Sequence, residues 1–281
     1  MSTLTPPRRR VIPLRWPSVI ALVAVGVVGL AAFLWPFFAS AEFASSHGND
    51  APWLFAGLLA LLSVVSLAEV TSGRLDAKTV AVLGVAAAAG GAMRVLSAGT
   101  AGLEPMFFIV IVAGRVLGPG VGFVSGSLAL TVGALLTGGV GPWLPFQMIC
   151  AGAVGLVAGL IPVRAGARAE RWVVAGYALV SGLAYGLAMN LWFWPFLGAN
   201  APTGMGFVPG ESAAANVAHY GVFYLTTSLG WDLPRGVLNA LLVLVAGPAI
   251  LRVFRRAARR AAFDAEVRFE PASPVSPVSG R

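Results

Sequence analysis

Residues 104–162 decide the fold, and they read EPMFFIVIVAGRVLGPGVGFVSGSLALTVGALLTGGVGPWLPFQMICAGAVGLVAGLIP. Three apolar runs lie in this stretch, separated by two different connectors. The first connector, LGPG at 117–120, is a tight turn that follows Arg115. The second, GGVGPWLPF at 138–146, carries no charge and has Trp143 between two prolines. A rigid, uncharged, aromatic connector is a better candidate for binding a ligand than for facing bulk water.

The chain as a whole has the composition of an all-α polytopic membrane protein. Of its 281 residues, 58% are hydrophobic and 11% are charged, against about 25% charged in ordinary soluble domains. The apolar runs are close to the roughly 20 residues that a helix needs to cross a bilayer. We predict eight transmembrane helices, over 18–40, 53–70, 80–98, 106–117, 121–136, 146–161, 172–196 and 231–254. The fourth and fifth are short, so we expect them to be tilted or shielded from lipid.

The distribution of the net charge of +8 indicates how the chain is oriented in the membrane, and it does not indicate a nucleic-acid partner. Basic residues lie at both termini and at 74–78, 115 and 164–171, whereas 41–52, 138–145 and 197–230 contain none. The positive-inside rule therefore predicts a multi-pass protein of the bacterial plasma membrane with both termini cytoplasmic and 197–230 as a long outer loop. Residues 39–41, Ala-Ser-Ala, resemble a signal-peptide cleavage site. The apolar run before them exceeds the roughly 7–15 residues of a signal h-region, which favours a retained helix.

The sequence lacks the residues that metal binding, ATP hydrolysis and ion-coupled transport usually require. Cys150 is the only cysteine, and His47 and His219 are isolated, so no metal site or cofactor is predicted. The segment from Gly73 to Thr79 lacks the glycine that precedes the lysine in a phosphate-binding loop, so ATP hydrolysis must come from another chain. An ion-driven secondary transporter usually carries ionisable residues in mid-helix, and here only Arg94 comes close.

Small residues form a ridge on the third helix. Gly84, Ala88 and Ala92 recur at a spacing of four, which places them on one face. Such a ridge lets another helix approach closely. The partner is either a helix of the same bundle or a separate subunit.

The candidate ligand site collects polar residues at the predicted outer ends of the helices. Arg94 and Glu104 bracket one connector, where they either pair with each other or meet a polar ligand. Gln147 follows the Trp143 connector, and a buried amide there needs hydrogen-bond partners. Asp232, Arg235 and Asn239 share one helix face. The candidate substrate-binding residues are Arg94, Glu104, Trp143, Gln147, Asn190, Asp232 and Asn239.

The region from Val80 to Arg260 resembles the substrate-binding S component of energy-coupling-factor (ECF) vitamin transporters. The resemblance rests on the alanine-rich helix running into Arg94, on the 104–162 stretch, and on TSLGWDLPRGVLNALL at 227–242 before an arginine-rich tail. It implies a six-helix substrate-binding core (80–260). The chain departs from the family's minimal pattern in two additional helices (18–79). Its charge and composition predict a basic cytoplasmic tail (1–17) and a disordered cytoplasmic tail (261–281).

The resemblance also implies the function and the partners. A water-soluble vitamin or vitamin precursor would bind from outside beneath loops 95–105, 138–146 and 197–230. The Gly84, Ala88 and Ala92 ridge would dock on the T component, and two cytoplasmic ATPase subunits would supply the energy as the S component topples in the membrane lipid. The sequence does not identify the vitamin, although the aromatic surroundings favour a large or weakly charged ligand such as a cobalamin or a flavin.

Two other classes remain open. A membrane enzyme acting on a lipid-linked substrate would need two titratable groups at hydrogen-bonding distance. Asp232 with Arg235, and Arg94 with Glu104, are the pairs available for that role. An ion-driven secondary transporter would take up its substrate with an ion gradient alone.

Overall fold

Apolar α-helices build the part of the chain that the structure describes. This computed structural model describes residues 16–38, 40, 56–67, 77–97, 100–162 and 166–261, and those ranges contain no β-strand. The helices are α1 (Trp16–Leu34), α2 (Ala56–Leu67), α3 (Ala77–Leu96), α4 (Met106–Leu117), α5 (Pro119–Thr137), α6 (Leu144–Leu160), α7 (Gly166–Phe193), α8 (Ala213–Phe223), α9 (Leu229–Val245) and α10 (Gly247–Ala261).

The predicted fold class, an all-α polytopic membrane protein, is confirmed. Five helical stretches are long and apolar enough to cross a membrane: Trp16–Phe37, Thr79–Leu96, Pro119–Thr137, Gly166–Leu197 and Ala213–Val245. Three shorter apolar helices, α2, α4 and α6, lie between them in the described ranges. Residues 1–15 and 262–281 of the predicted tails and the connector over 41–52 fall outside the described residues.

Helix α4 lies at the centre of the bundle. All twelve of its residues are buried. Gly118 alone separates α4 from α5, and its φ of 106° is a conformation that side chains other than glycine rarely adopt. The LGPG segment is therefore the predicted tight turn. A twelve-residue helix is too short to span a bilayer in contact with lipid, but α4 is enclosed by other helices and need not do so.

Glycines set the contacts of α4, α5 and α6. A Cβ atom on Gly114 would collide with the backbone of Gly155, and one on Gly155 would collide with the backbone of Gly122. The three helices thus meet backbone to backbone, which is the close approach that small residues permit in membranes. Helices α7 and α9 meet in the same way, because Gly182 abuts the backbone of Gly236.

The prediction of a loop over 197–230 is wrong for residues 213–230. Ser212 caps α8 by accepting a hydrogen bond from the backbone N–H of Ala215 at 3.2 Å. A π-helical segment, Tyr224–Ser228, then joins α8 to α9 without a break in the helix. The absence of basic residues indicates on which side of the membrane a segment lies, and it does not argue against a helix. Residues 213–230 contain no proline and include four alanines, which favours the helix.

The predicted helix over 231–254 is two helices in the structure. Helix α9 ends at Val245, and α10 begins at Gly247 with Pro248 in its first turn. The pyrrolidine ring cannot continue the hydrogen-bond ladder of α9, which explains the break. Helix α7 begins at Gly166, earlier than the predicted residue 172, so Arg168 and Arg171 lie in its first turns.

Helix α1 packs against the core at the aromatic ends of α6 and α7. Gly29 faces the side chain of Ile149, and the Phe33 ring lies 5.1 Å from that of Phe146. A 3₁₀ turn, Trp35–Phe37, continues this contact, with the Phe37 ring 6.0 Å from that of Trp194. Helix α1 thereby buries aromatic surface at the ends of α6 and α7.

Candidate functional site

A cavity of about 490 Å³ opens at one end of the bundle, which we call the Glu104 end. It lies among the start of α6, the last turns of α7 and the junction of α8 with α9. It is lined by Glu104, Gln147, Tyr185, Gly186, Met189, Asn190, Phe193, Phe223, Thr227, Ser228, Trp231, Asp232 and Arg235. The volume lies within the range of about 300–1,000 Å³ that is usual for small-molecule sites.

Glu104 joins two arginines at the wall of this cavity. Its Oε1 accepts a hydrogen bond from Nη1 of Arg94 at 3.2 Å, and its Oε2 accepts one from Nε of Arg235 at 2.7 Å. The other end of the Arg235 guanidinium donates to Oδ1 of Asp232. The two pairs that the sequence suggests separately are therefore one network of two cations and two anions, Arg94–Glu104–Arg235–Asp232.

Asp232 is held by α7 as well as by Arg235. Its side chain is 3% exposed, and a Cβ atom on Gly186 would collide with its carboxylate. Nδ2 of Asn190 donates to the carbonyl of Gly186 at 2.8 Å and lies 3.5 Å from Oδ2 of Asp232. The absence of a side chain at position 186 is what lets the carboxylate sit against α7.

Gln147 connects the network to α6. Its Oε1 accepts a hydrogen bond from Nη2 of Arg94 at 3.2 Å. Arg94 thus bridges Glu104 and Gln147. These two residues line the cavity, and Arg94 lies behind them. This arrangement supplies the partners that the amide was expected to need.

Asn239 has a structural position beneath the cavity. It is fully buried, and its Oδ1 accepts the backbone N–H of Phe108 at 2.7 Å. Its Nδ2 donates to the carbonyls of Glu104 and Arg235, both at 2.8 Å. One amide therefore fixes the start of α4 to α9 and places Glu104 opposite Arg235.

Trp143 lies apart from the cavity wall. Its Nε1 donates to the carbonyl of Gly139 at 3.0 Å, and its ring lies 6.2 Å from that of Trp192. Trp192 in turn contacts Phe146 and Phe196. Trp143 belongs to a row of aromatic rings, part buried and part exposed, that packs at these ends of α6 and α7 apart from the cavity wall.

The segment between α7 and α8 is anchored beside this row. Trp194 is fully buried, and its Nε1 donates to the carbonyl of Met205 at 2.6 Å. Asn216 exchanges two hydrogen bonds with the backbone of Val208, each 3.0 Å long. These contacts hold the connector against the end of the bundle that contains the cavity.

A second charged cluster lies at the opposite end of the bundle. Oε1 of Glu170 accepts from Nε of Arg115 at 2.8 Å and from Nη2 of Arg255 at 2.7 Å. Arg115 also donates to the carbonyl of Ile161 at 2.9 Å. Arg115 and Glu170 are buried, and the cluster joins α4, α7 and α10. This end also carries Arg168 and Arg171 in the first turns of α7 and the arginines of α10.

The small residues of α3 divide between two faces. Gly84, Ala88 and Ala92 are exposed, and space is open beside Gly84. Gly90 and Gly91 are buried and would clash with Ala129 and Val132 of α5 if they carried a Cβ atom. The glycine pair therefore serves the internal packing, while the predicted ridge remains on the surface.

The structure brings together most of the predicted site. Glu104, Gln147, Asn190 and Asp232 line the cavity, Arg94 and Asn239 support it, and Trp143 lies outside it. Sequence reasoning missed Tyr185, Gly186, Met189 and Phe193, which recur at three- and four-residue spacing on the face of α7 that also bears Asn190. It also missed the contribution of Phe223, Thr227 and Ser228, because that segment was interpreted as a loop.

The arrangement suits binding better than hydrolytic chemistry. Each carboxylate of the network accepts a hydrogen bond from a guanidinium, so neither is an unpaired group in the cavity wall. Within the described ranges, no group of three or more His, Cys, Asp or Glu side chains is placed to hold a metal ion. Aromatic walls with a few converging polar groups are the usual features of a small-molecule site.

Comparison with known proteins identifies the family of the core. A family model described as ECF transporter, substrate-specific component matches residues 78–247, which run from the start of α3 to the end of α9. Neither a search of curated proteins nor a search of solved structures finds a match to the chain. The matched region covers more than half of the chain and contains every residue that lines the cavity. The chain belongs to the family of substrate-specific components of ECF transporters.

Proposed function

We propose that this protein captures a water-soluble vitamin or vitamin precursor from outside the cell and delivers it inward. The ligand binds in the cavity at the Glu104 end. The observation that carries the proposal is the cavity itself, where a charge-balanced polar network faces aromatic side chains at the ends of the helices. Arginines of α7 and α10 lie at the opposite end of the bundle, and the positive-inside rule favours the cytoplasm for that end.

Delivery uses an ECF module made of a T component and two cytoplasmic ATPase subunits. Two observations support this division of labour. The sequence has no phosphate-binding loop, and Gly84, Ala88 and Ala92 present a strip of small residues on the exposed face of α3. A helix of the T component can approach such a strip closely without displacing side chains. The core of this subunit is 80–260, preceded by two additional helices.

Direct binding tests the proposal. The full chain is purified in lipid nanodiscs and titrated by calorimetry with a panel of water-soluble vitamins and their precursors. We expect one member to bind with a micromolar or lower dissociation constant. Asn190→Ala removes an amide from the cavity wall and should weaken that binding. Val180→Ala, at an exposed position of the same helix, is the matched control and should not.

Transport assays separate the remaining classes. Uptake into proteoliposomes should require the T component, both ATPases and ATP. Uptake driven by an ion gradient in their absence would identify a secondary transporter instead. Conversion of a lipid-linked substrate without the ECF module would identify an enzyme. Absence of binding to every vitamin in the panel would overturn the proposal.

A further inference from the structure

Helix α10 presents a face of arginines at the end of the bundle opposite the cavity. Its sequence, GPAILRVFRRAARRA, contains five arginines and no carboxylate. Arg252 and Arg256 are four positions apart, so they lie on one face of the helix, and both are exposed. The family model ends at residue 247, where α10 begins, so almost all of this helix lies outside the matched region.

The other face of α10 is covered by the bundle. Leu251 is buried, and Ile250, Phe254 and Ala258 pack on the hydrophobic core. The helix packs against α3, α4 and α9. Its apolar side chains therefore find their partners within the protein, and the arginine face is the one that remains for an outside partner.

Arg255 fixes the height of α10 along the bundle. Its Nη2 donates to Oε1 of Glu170 at 2.7 Å, which joins the middle of α10 to the first turns of α7. Trp172 follows Glu170 by two positions and is 62% exposed. Tryptophan is enriched where membrane helices meet the headgroup layer. Because the apolar stretch that includes α9 also stops at Val245, the middle of α10 lies near the level of the headgroups.

The exposed arginines at this end have guanidinium groups available for an anion. Arg168 and Arg171 on α7 and Arg256 on α10 form no ion pair with the residues that the structure describes. Arg252 donates from Nε to the carbonyl of Pro248 at 3.0 Å, a contact within α10 that does not neutralise its charge. The end of the bundle therefore carries positive charge that the described part of the protein does not balance.

Charge and height together favour a lipid surface as the partner. The cytoplasmic leaflet carries anionic headgroups, which attract basic segments close to the membrane. A guanidinium binds the oxygens of a phosphate through charge-assisted hydrogen bonds, often two at once. Val253, next to Arg252, is 61% exposed, and an apolar side chain is better placed among headgroups than in bulk water.

We propose that α10 binds anionic lipid on the cytoplasmic side of the membrane. Arg252 and Arg256 contact the phosphodiester groups of lipids such as phosphatidylglycerol, and α10 thereby holds this end of the bundle at the membrane surface. Lipid binding at α10 does not depend on the ligand of the cavity, so its absence would leave the proposed function unaffected.

Counting the lipids that stay bound tests the proposal. The full chain is reconstituted in nanodiscs with equal amounts of phosphatidylglycerol and phosphatidylcholine and is then released into a neutral detergent. Native mass spectrometry gives the ratio of the two retained lipids, and we expect phosphatidylglycerol to predominate. Replacing both arginines, Arg252→Gln with Arg256→Gln, should lower the ratio by up to about fivefold for each arginine.

Two controls show whether charge at the membrane surface is responsible. The double variant Arg252→Lys with Arg256→Lys keeps the charge and should retain the preference for phosphatidylglycerol. Both double variants should melt near the wild-type temperature, because neither arginine bonds to another helix in the described ranges. Glycerol 1-phosphate, added at millimolar concentration, should not displace the lipid.

Four outcomes would overturn the proposal. The first two are equal retention of the two lipids by the wild type and an unchanged ratio in the glutamine variant. Displacement of phosphatidylglycerol by glycerol 1-phosphate would assign the arginine face to a soluble phosphate. Loss of co-purification with the ECF module in the glutamine variant, without any lipid preference in the wild type, would assign the face to an acidic protein surface.

Discussion

Nε of Arg235 lies 2.7 Å from Oε2 of Glu104, so α9 is joined directly to the segment that precedes α4. The two residues are 131 positions apart in the sequence. The contact depends on Asn239, which bonds to the backbone of both residues. It also turns two local ion pairs into one network at the wall of the cavity.

Replacing Glu104 with glutamine should weaken both the fold and ligand binding. The neutral amide leaves the guanidinium groups of Arg94 and Arg235 without their shared anion. The loss of charge-assisted hydrogen bonds predicts destabilisation by about 1.5–3 kcal/mol. Thermal melting and ligand titration of the purified protein measure the two effects. Glu211→Gln removes a more exposed carboxylate near His219 and should change the melting temperature little. Equal effects of the two variants would contradict the network.

A methyl group at position 186 should impair the site without unfolding the bundle. Gly186→Ala places a Cβ atom on the Asp232 carboxylate, so Asp232 must move and its contacts with Arg235 and Asn190 are disturbed. We expect ligand affinity to fall at least tenfold, measured by calorimetry. Gly176→Ala, on the same helix with open space around it, should bind normally. Wild-type affinity of Gly186→Ala would show that the position of Asp232 does not matter for binding.

A larger side chain on the α3 ridge should block assembly and spare ligand capture. Ala88→Leu adds bulk to the exposed strip of small residues, so a helix of the T component can no longer approach closely. We expect loss of co-purification with the ECF module and an unchanged ligand dissociation constant. Ala31→Leu makes the same change at an exposed position of α1 and should assemble normally. Intact assembly of Ala88→Leu would move the docking face elsewhere.

The charged cluster at the opposite end should contribute to stability alone. Glu170→Gln leaves buried Arg115 without its anion, and breaking a buried ion pair costs about 3–5 kcal/mol. The melting temperature should therefore fall more than in Glu104→Gln. Ligand affinity of the protein that remains folded should not change, because the cluster lies at the other end of α4. A loss of affinity equal to that of Glu104→Gln would indicate coupling between the two ends.

The sequence predicted the elements whose evidence is local. Apolar run lengths and the Leu117–Gly120 turn located the core helices, and the spacing of Asp232 and Arg235 predicted a shared face, where the structure pairs them. The Arg94–Glu104 pair also forms, at 3.2 Å. Asp232 and Arg235 are brought together by the geometry of one helix, whereas Arg94 and Glu104 meet because only ten positions separate them along the chain.

What the sequence did not predict depends on tertiary packing or on a mistaken inference. The Glu104–Arg235 contact requires α4 and α9 to be neighbours, and no local pattern encodes that. The lack of basic residues led to the prediction of a loop over 197–230, so α8 and the helical segment after it were not predicted. Phe223, Thr227 and Ser228, which line the cavity from these helical residues, were therefore not identified. Trp143 was selected for its rigid surroundings, although its ring packs on Trp192 outside the cavity.

The brevity of α4 has a consequence for the surrounding lipid. Glu104 and Arg115 are eleven residues apart along the chain, which is about 17 Å at the helical rise. The hydrocarbon core of a bilayer is about 30 Å thick. The two charged clusters are therefore closer together than the two polar surfaces of the membrane. At least one of them lies within the depth of the hydrocarbon core, where the longer helices that enclose α4 separate its charges from the surrounding lipid.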